Sequence, residues 1–181
     1  MKNILFTLAL LISFISFGQT VDEYFDSGYD KAKAKDYYGA IADYTKAIEI
    51  NPNDADAYYN RGLSKNNLKD YYGAIADYTK AIEINPNFAK AYTDRGVSKN
   101  NLKDYNGAIA DYTKAIELDP NYALAYNNRG VGKDDLKDYY GAIADYTKAI
   151  EINPNDAGAY YNRGISKYYL GDKNGACQDA R

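Results

Sequence analysis

The stretch GAIADYTKAIE fills residues 39–49, and the same letters return at 73–83, 107–117 and 141–151. Each return lies 34 residues further on, and Pro52, Pro86, Pro120 and Pro154 keep the same interval. A fixed period of this length marks an array of supersecondary units, each too small to bury its own apolar face. The period cuts the chain into four full repeats, 21–54, 55–88, 89–122 and 123–156, and a shorter fifth, 157–181.

Each repeat reads as two helices. In 55–88, Ala57, Gly62, Leu63 and Leu68 are helically spaced up to a polar corner at Lys69-Asp70. Asp70 is suited to cap a second helix, whose apolar stripe is Ala74, Ile75, Tyr78, Ala81, Ile82 and Ile84. Asn85-Pro86 ends it, because a residue before proline is pushed out of the α region. Asn87, like Asp54 one junction earlier, is placed to cap the helix that follows. The expected hairpin corners are near Asp36, Asp70, Asp104 and Asp138, with no β-strand after residue 20.

Composition narrows the function. With 46% hydrophobic residues, 26% charged residues and a mean hydropathy of -0.61, this is a soluble folded chain. A formal net charge of -3 gives no basic stripe for nucleic acid. The absence of His and the presence of one Cys exclude His-dependent catalysis, zinc clusters and an internal disulfide. Asp77, Asp111 and Asp145, and Glu83, Glu117 and Glu151, recur at fixed positions, which suits scaffold work better than a unique catalytic constellation. Cys177 stands where the other repeats have Ile, so it reads as a small buried hydrophobe, with an intermolecular disulfide as the alternative. The expectation is a non-enzymatic protein without metal or cofactor.

Residues 1–18 differ from the rest. Lys2 precedes an apolar run from Ile4 to Phe17, and Ser16-Phe17-Gly18 supplies small residues before Gln19. This is the layout of a secretory signal peptide cleaved near Gly18-Gln19, leaving an array over 19–181 in the periplasm or outside the cell. An uncleaved N-terminal anchor is the competing reading.

An aromatic at position 4, Gly at 8, Ala at 20, Tyr at 24, Ala at 27 and Pro at 32 resembles the tetratricopeptide repeat, here of an exported bacterial type. In the second repeat these are Tyr58, Gly62, Ala74, Tyr78, Ala81 and Pro86. The resemblance implies an all-α, right-handed α-solenoid. Two positions depart from the usual pattern: position 7 is Arg61, Arg95, Arg129 or Arg163, and position 11 is Lys31, Lys65, Lys99, Lys133 or Lys167. In an antiparallel hairpin, position 7 lies across from about position 24. Arg61 should therefore reach Asp77 or stack on Tyr78, with Arg95 and Arg129 repeating the arrangement at Asp111 or Tyr112 and at Asp145 or Tyr146.

The resemblance also implies that positions 2, 5, 9, 12 and 13 of each first helix line a concave groove for peptides or protein segments. Those candidates are Tyr59, Leu63, Asn66 and Asn67, then Lys90, Thr93, Val97, Asn100 and Asn101. They continue with Leu124, Asn127, Val131, Asp134 and Asp135, and end with Tyr161, Ile165, Tyr168 and Tyr169. Position 9 forms an apolar rail, the Asn amides suit an extended backbone, and Asp134 with Asp135 makes an acidic spot. The family's carboxylate clamp for cytosolic chaperone tails is missing, since Phe25 and Tyr29, or Tyr59 and Leu63, replace its Lys and Asn, and only Lys90 fits. The leading function is a protein-interaction scaffold. The alternatives are a glycan or cell-wall module using the groove tyrosines, and a unit that self-associates through its C-terminal end. For that end, the reading expects Tyr160, Ile165 and Leu170 to be more exposed than Tyr126, Val131 and Leu136.

Overall fold

A computed structural model describes residues 21–180 of the protein, and the expected signal peptide at 1–18 lies outside the described residues. Among the described residues every regular element is an α-helix. Helix α1 covers residues 21–33. The others are α2 (Tyr37–Ile50), α3 (Ala55–Asn67), α4 (Tyr71–Ile84), α5 (Ala89–Asn101), α6 (Tyr105–Leu118), α7 (Ala123–Asp135), α8 (Tyr139–Ile152), α9 (Ala157–Tyr169) and α10 (Lys173–Asp179). Odd-numbered helices open a repeat and even-numbered helices complete its hairpin.

The corner is built the same way each time. Lys69 adopts a left-handed φ of 63°, its N–H donates to Asn66 O, and Asp70 N–H donates to Lys65 O, both at 2.9 Å. These bonds satisfy the last carbonyls of α3. Asp70 then accepts from Gly73 N–H at 3.0 Å and starts α4. A Cβ on Gly73 would fall 2.1 Å from the Asp70 Oδ2, so the cap itself demands glycine three residues on. Asp36, Asp104, Asp138 and Asp172 cap their helices identically. At the other junction the residue before proline leaves the helical region, as at Asn85 with φ -124° and ψ 91°. Asp54 and Asp156 cap α3 and α9, but α5 starts from Phe88 without a side-chain cap bond, so its N-cap residue is Phe88 and not the expected Asn87.

The chain divides into two compact blocks after Pro86. In the N-terminal block α2 packs on α3, joining Ala47, Ile48 and Ala57 with Tyr24, Phe25 and Tyr58. In the C-terminal block α6 packs on α7 and α8 on α9, with Ala149, Ile150 and Ala159 against Tyr126 and Tyr160. The core is alanine and tyrosine. Ala40, Ala74, Ala108 and Ala142 are fully buried, and so are Tyr44, Tyr78 and Tyr146. Small residues let the helices approach, and the rings fill what remains. Gly62 shows how closely: a Cβ there would sit 2.7 Å from the Tyr78 ring.

Two expectations about the fifth repeat need correction. Cys177 is exposed, because α10 contains no buried residue for it to pack among. Ile165 is exposed and Val131 only half-buried, as expected, but Tyr160 and Tyr126 are alike, and Leu136 is the more exposed of the Leu136–Leu170 pair. Among the described residues no helix is long and apolar enough to cross a membrane.

Candidate functional site

The hairpin brings both unusual positions onto one carboxylate. Arg61 donates to Asp77 through Nε at 2.9 Å and Nη2 at 2.7 Å, and Lys65 Nζ lies 2.7 Å from Oδ2. Arg95 and Lys99 hold Asp111, Arg129 and Lys133 hold Asp145, and Arg163 and Lys167 hold Asp179 in the same way. The expected ion pair therefore forms, but the ring beneath the guanidinium is Tyr58, not Tyr78, at 5.4 Å. In the first repeat Ser27 replaces Arg, and Ser27 and Lys31 each reach Asp43 at 2.6 Å. Each of these cations is ion-paired to the aspartate of its own hairpin, and Arg61, Arg129 and Arg163 also donate through Nη1 to Thr45, Thr113 and Thr147 of the preceding repeat.

The first-helix positions fare unequally. In the N-terminal block, Leu63 and Asn67 line a cavity of about 320 Å³ together with Tyr29, Ala32 and Lys33 of α1. Those three occupy positions 9, 12 and 13 of the first repeat. The sequence reading left them out, although the same positions were used in later repeats. Asn66 is half-buried, and Tyr59 packs tilted on Tyr78 with centroids 5.8 Å apart. The Asn67 amide donates to Leu63 O at 2.9 Å, and Asn101 does the same to Val97 O. Both amides thus have an N–H committed to their own helix.

In the C-terminal block, Lys90 is exposed, but Thr93 is fully buried and donates to Ala89 O. Thr93 is therefore removed from the groove candidates. Val97, Asn100, Asn101 and Val131 line a cavity of about 120 Å³. Asn127 accepts from Asn162 at 3.2 Å, and Asn100 lies 3.5 Å from Asp135. Asp134 is no open acidic spot: Tyr146 Oη donates to it at 2.8 Å and Ser166 Oγ lies 2.9 Å from both its oxygens. Burial raises its pKa, the two hydroxyl hydrogen bonds work the other way, and Asp135 and Asp138 add to the rise.

The apolar candidates cluster on α9. Tyr161, Tyr168 and Tyr169 are each more than 60% exposed, and with Ile165, Gly164 and Ala176 they line a hollow of about 340 Å³. Tyr169 stacks on Tyr139 at 5.1 Å and meets Tyr168 edge-on, which fixes the ring orientations. Tyr38, Tyr72 and Tyr140 at position 18 are also strongly exposed, which the sequence reading missed. The signal was Asn106 at the same position in the third repeat, since a core site would not accept that exchange. Among the described residues no group of three or more acidic or Cys side chains is placed to hold a metal ion.

Tetratricopeptide-repeat profiles match residues 55–88, 89–122 and 123–156, and related profiles match 28–68 and 145–178. The chain belongs to the tetratricopeptide repeat family. Comparison with curated proteins returns no match. Among solved structures, the array is similar to the crystal structure of MamA protein at 28% identity and a TM-score of 0.82, covering 90% of this chain and 88% of that one. The first TPR of Spaghetti (RPAP3), bound to an HSP90 peptide, is 26% identical with a TM-score of 0.64, covering 65% of this chain and 93% of that one. YrrB, a TPR protein with an unusual peptide-binding site, shares the fold at 22% identity and a TM-score of 0.73, over 90% of this chain and 88% of that one. The all-α array of helix-turn-helix repeats and its scaffold character are thus those of the family.

Proposed function

We propose that this tetratricopeptide array is an exported, non-enzymatic scaffold that binds a protein segment along the face of its first helices. The observation that carries the reading is the exposed set Tyr161, Ile165, Tyr168 and Tyr169 around one hollow. Large rings with fixed orientation offer contact area at little entropic cost, and apolar hollows of this kind anchor partner side chains. That the RPAP3 repeat has been captured with a peptide, and that YrrB has a peptide-binding site, support the same use here. The exposed tyrosines also suit a glycan, which is the second reading.

The test places a photocrosslinking residue at Leu63 or Ile165 on the first helices, and at Glu83 or Glu151 on the second helices, in the full chain. Protease-sensitive adducts at the first two sites and none at the others support a protein-segment scaffold. Adducts cleared by glycan hydrolases support the glycan reading, and equal labelling at all four sites overturns both. Fractionation of the expressing bacterium, with N-terminal sequencing that begins at Gln19, tests export. Cytosolic retention of the uncleaved chain overturns that part.

A further inference from the structure

Asp134 in the fourth repeat shows how this scaffold holds a carboxylate, between the Tyr146 and Ser166 hydroxyls at 2.8 and 2.9 Å. Three periods earlier, the same two donors are Tyr44 and Ser64, and the place of the carboxylate is taken by Ala32. The donors remain and the acceptor is gone. Tyr44 is fully buried, and among the described residues its hydroxyl has no hydrogen-bond partner. A buried hydroxyl without a partner is costly to keep, and native proteins retain few of them. Tyr44 is one of the residues lining the cavity of about 320 Å³ described above, together with Ala32, Lys33, Leu63, Ser64 and Asn67.

We propose that this cavity is a carboxylate subsite, filled by an Asp or Glu side chain of the bound segment, with Tyr44 and Ser64 as donors in the roles Tyr146 and Ser166 play for Asp134. The inference rests on the scaffold reading above and names one side chain that its partner carries. Burial, and secondarily Tyr29, push the Tyr44 pKa up to about 12, so the hydroxyl keeps the proton it would donate. Ser64 Oγ lies 3.0 Å from Asn60 O, and Ser166 Oγ lies 3.1 Å from Asn162 O and 2.9 Å from Asp134. Each hydroxyl has a single proton, so Ser64 donates to a guest by turning that proton from the helix carbonyl to the carboxylate. Lys33 brings a positive charge to the lining, where the fourth repeat has Asp135. An acidic guest therefore meets a cation here. Because the donors belong to positions 24 and 10, this subsite is separate from the first-helix clamp absent from the sequence.

The probes are N-acetyl-aspartate N-methylamide, its asparagine counterpart and acetate, titrated into the full chain while amide resonances are followed. The aspartate probe should shift Ala32, Tyr44 and Ser64 saturably, with the asparagine probe about fivefold weaker or more, the usual advantage of a charged acceptor. Tyr44→Phe should weaken the aspartate probe several-fold. Ala32→Asp should abolish the response and raise Tm above that of Ala32→Asn, because the chain then supplies its own carboxylate. Equal responses to the aspartate and asparagine probes, or an Ala32→Asp variant that melts below Ala32→Asn and still binds the probe, would overturn the subsite. Saturation by acetate but not by the blocked aspartate would overturn its assignment to a side chain of a segment. Crosslinks on the first helices without any aspartate response sink the subsite alone. An aspartate response with no crosslinked protein sinks the scaffold reading instead.

Discussion

Arg61 grips Asp77 with two parallel hydrogen bonds, at 2.9 and 2.7 Å, while Lys65 holds the same carboxylate from one helical turn further along α3. Asp77 is almost completely buried and lies on α4, so the triad staples one hairpin from inside. Planar bidentate pairing makes it stronger than a surface ion pair.

Asp77→Asn should destabilise the chain by about 3 kcal/mol, because two half-buried cations lose their counter-charge. Asp43→Asn should cost less, since Ser27 replaces one cation and Lys31 is 40% exposed. Urea unfolding of both variants checks this, and an equal loss at the two sites would refute the ranking.

The acid limb of stability should depend on Asp43. Burial would raise its carboxyl, but hydrogen bonds from Lys31 and Ser27 and the Lys31 charge outweigh it, and the folded pKa lies below the ordinary 3.8. A lowered folded pKa gives stability that is present above the unfolded value and lost as pH falls through the folded one. Urea midpoints should therefore drop below about pH 4, and the Asp43→Asn variant should show a shallower drop. Asp134 has the opposite sign, its pKa being raised, so Asp134→Asn should not flatten the acid limb.

Gly62→Ala forces a methyl to within 2.7 Å of the Tyr78 ring, in a hairpin with no slack. The expected loss is about 1–3 kcal/mol, the usual range for overpacking a tight core. Gly158→Ala is the control: it sits on an exposed stretch of α9, its nearest neighbour is Asp156 Oδ1 at 3.2 Å, and it should be neutral or stabilising by up to about 1 kcal/mol. Thermal melts that failed to separate these two alanines would contradict the packing account.

Lys69 and Lys137 hold left-handed φ values of 63° and 64°, where the fifth repeat uses Gly171 at 86°. Lys137→Gly should stabilise by up to about 1 kcal/mol, the left-handed strain it relieves being partly offset by a freer unfolded chain. Gly171→Lys should do the reverse. Melting temperatures moving in the same direction for both exchanges would be inconsistent with strain at the corner.

The period, the helix pairs, the aspartate caps and the proline breaks were legible in the sequence, because each follows from bonding within a few residues. The Arg61–Asp77 pairing was legible too, since hairpin geometry fixes what lies opposite position 7. Its Tyr58 partner and the role of Lys65 were not, because side-chain direction within a helix decides which ring and which second cation reach the same carboxylate. Thr93 shows the limit from the other side: its place on the helical wheel matches that of Tyr59 and Tyr161, yet it is fully buried.

The sequence by itself determined the all-α repeat architecture of this chain, because the 34-residue period copies local capping and apolar spacing that need no distant partner. Only the tertiary structure decided which polar groups remain available to a ligand. Asp134 and Ala32 occupy the same position of the period, but one closes a hydrogen-bonded bridge and the other leaves Tyr44 without an acceptor among the described residues. That difference depends on residues from three helices meeting at hydrogen-bond distance, which spacing along the chain cannot encode.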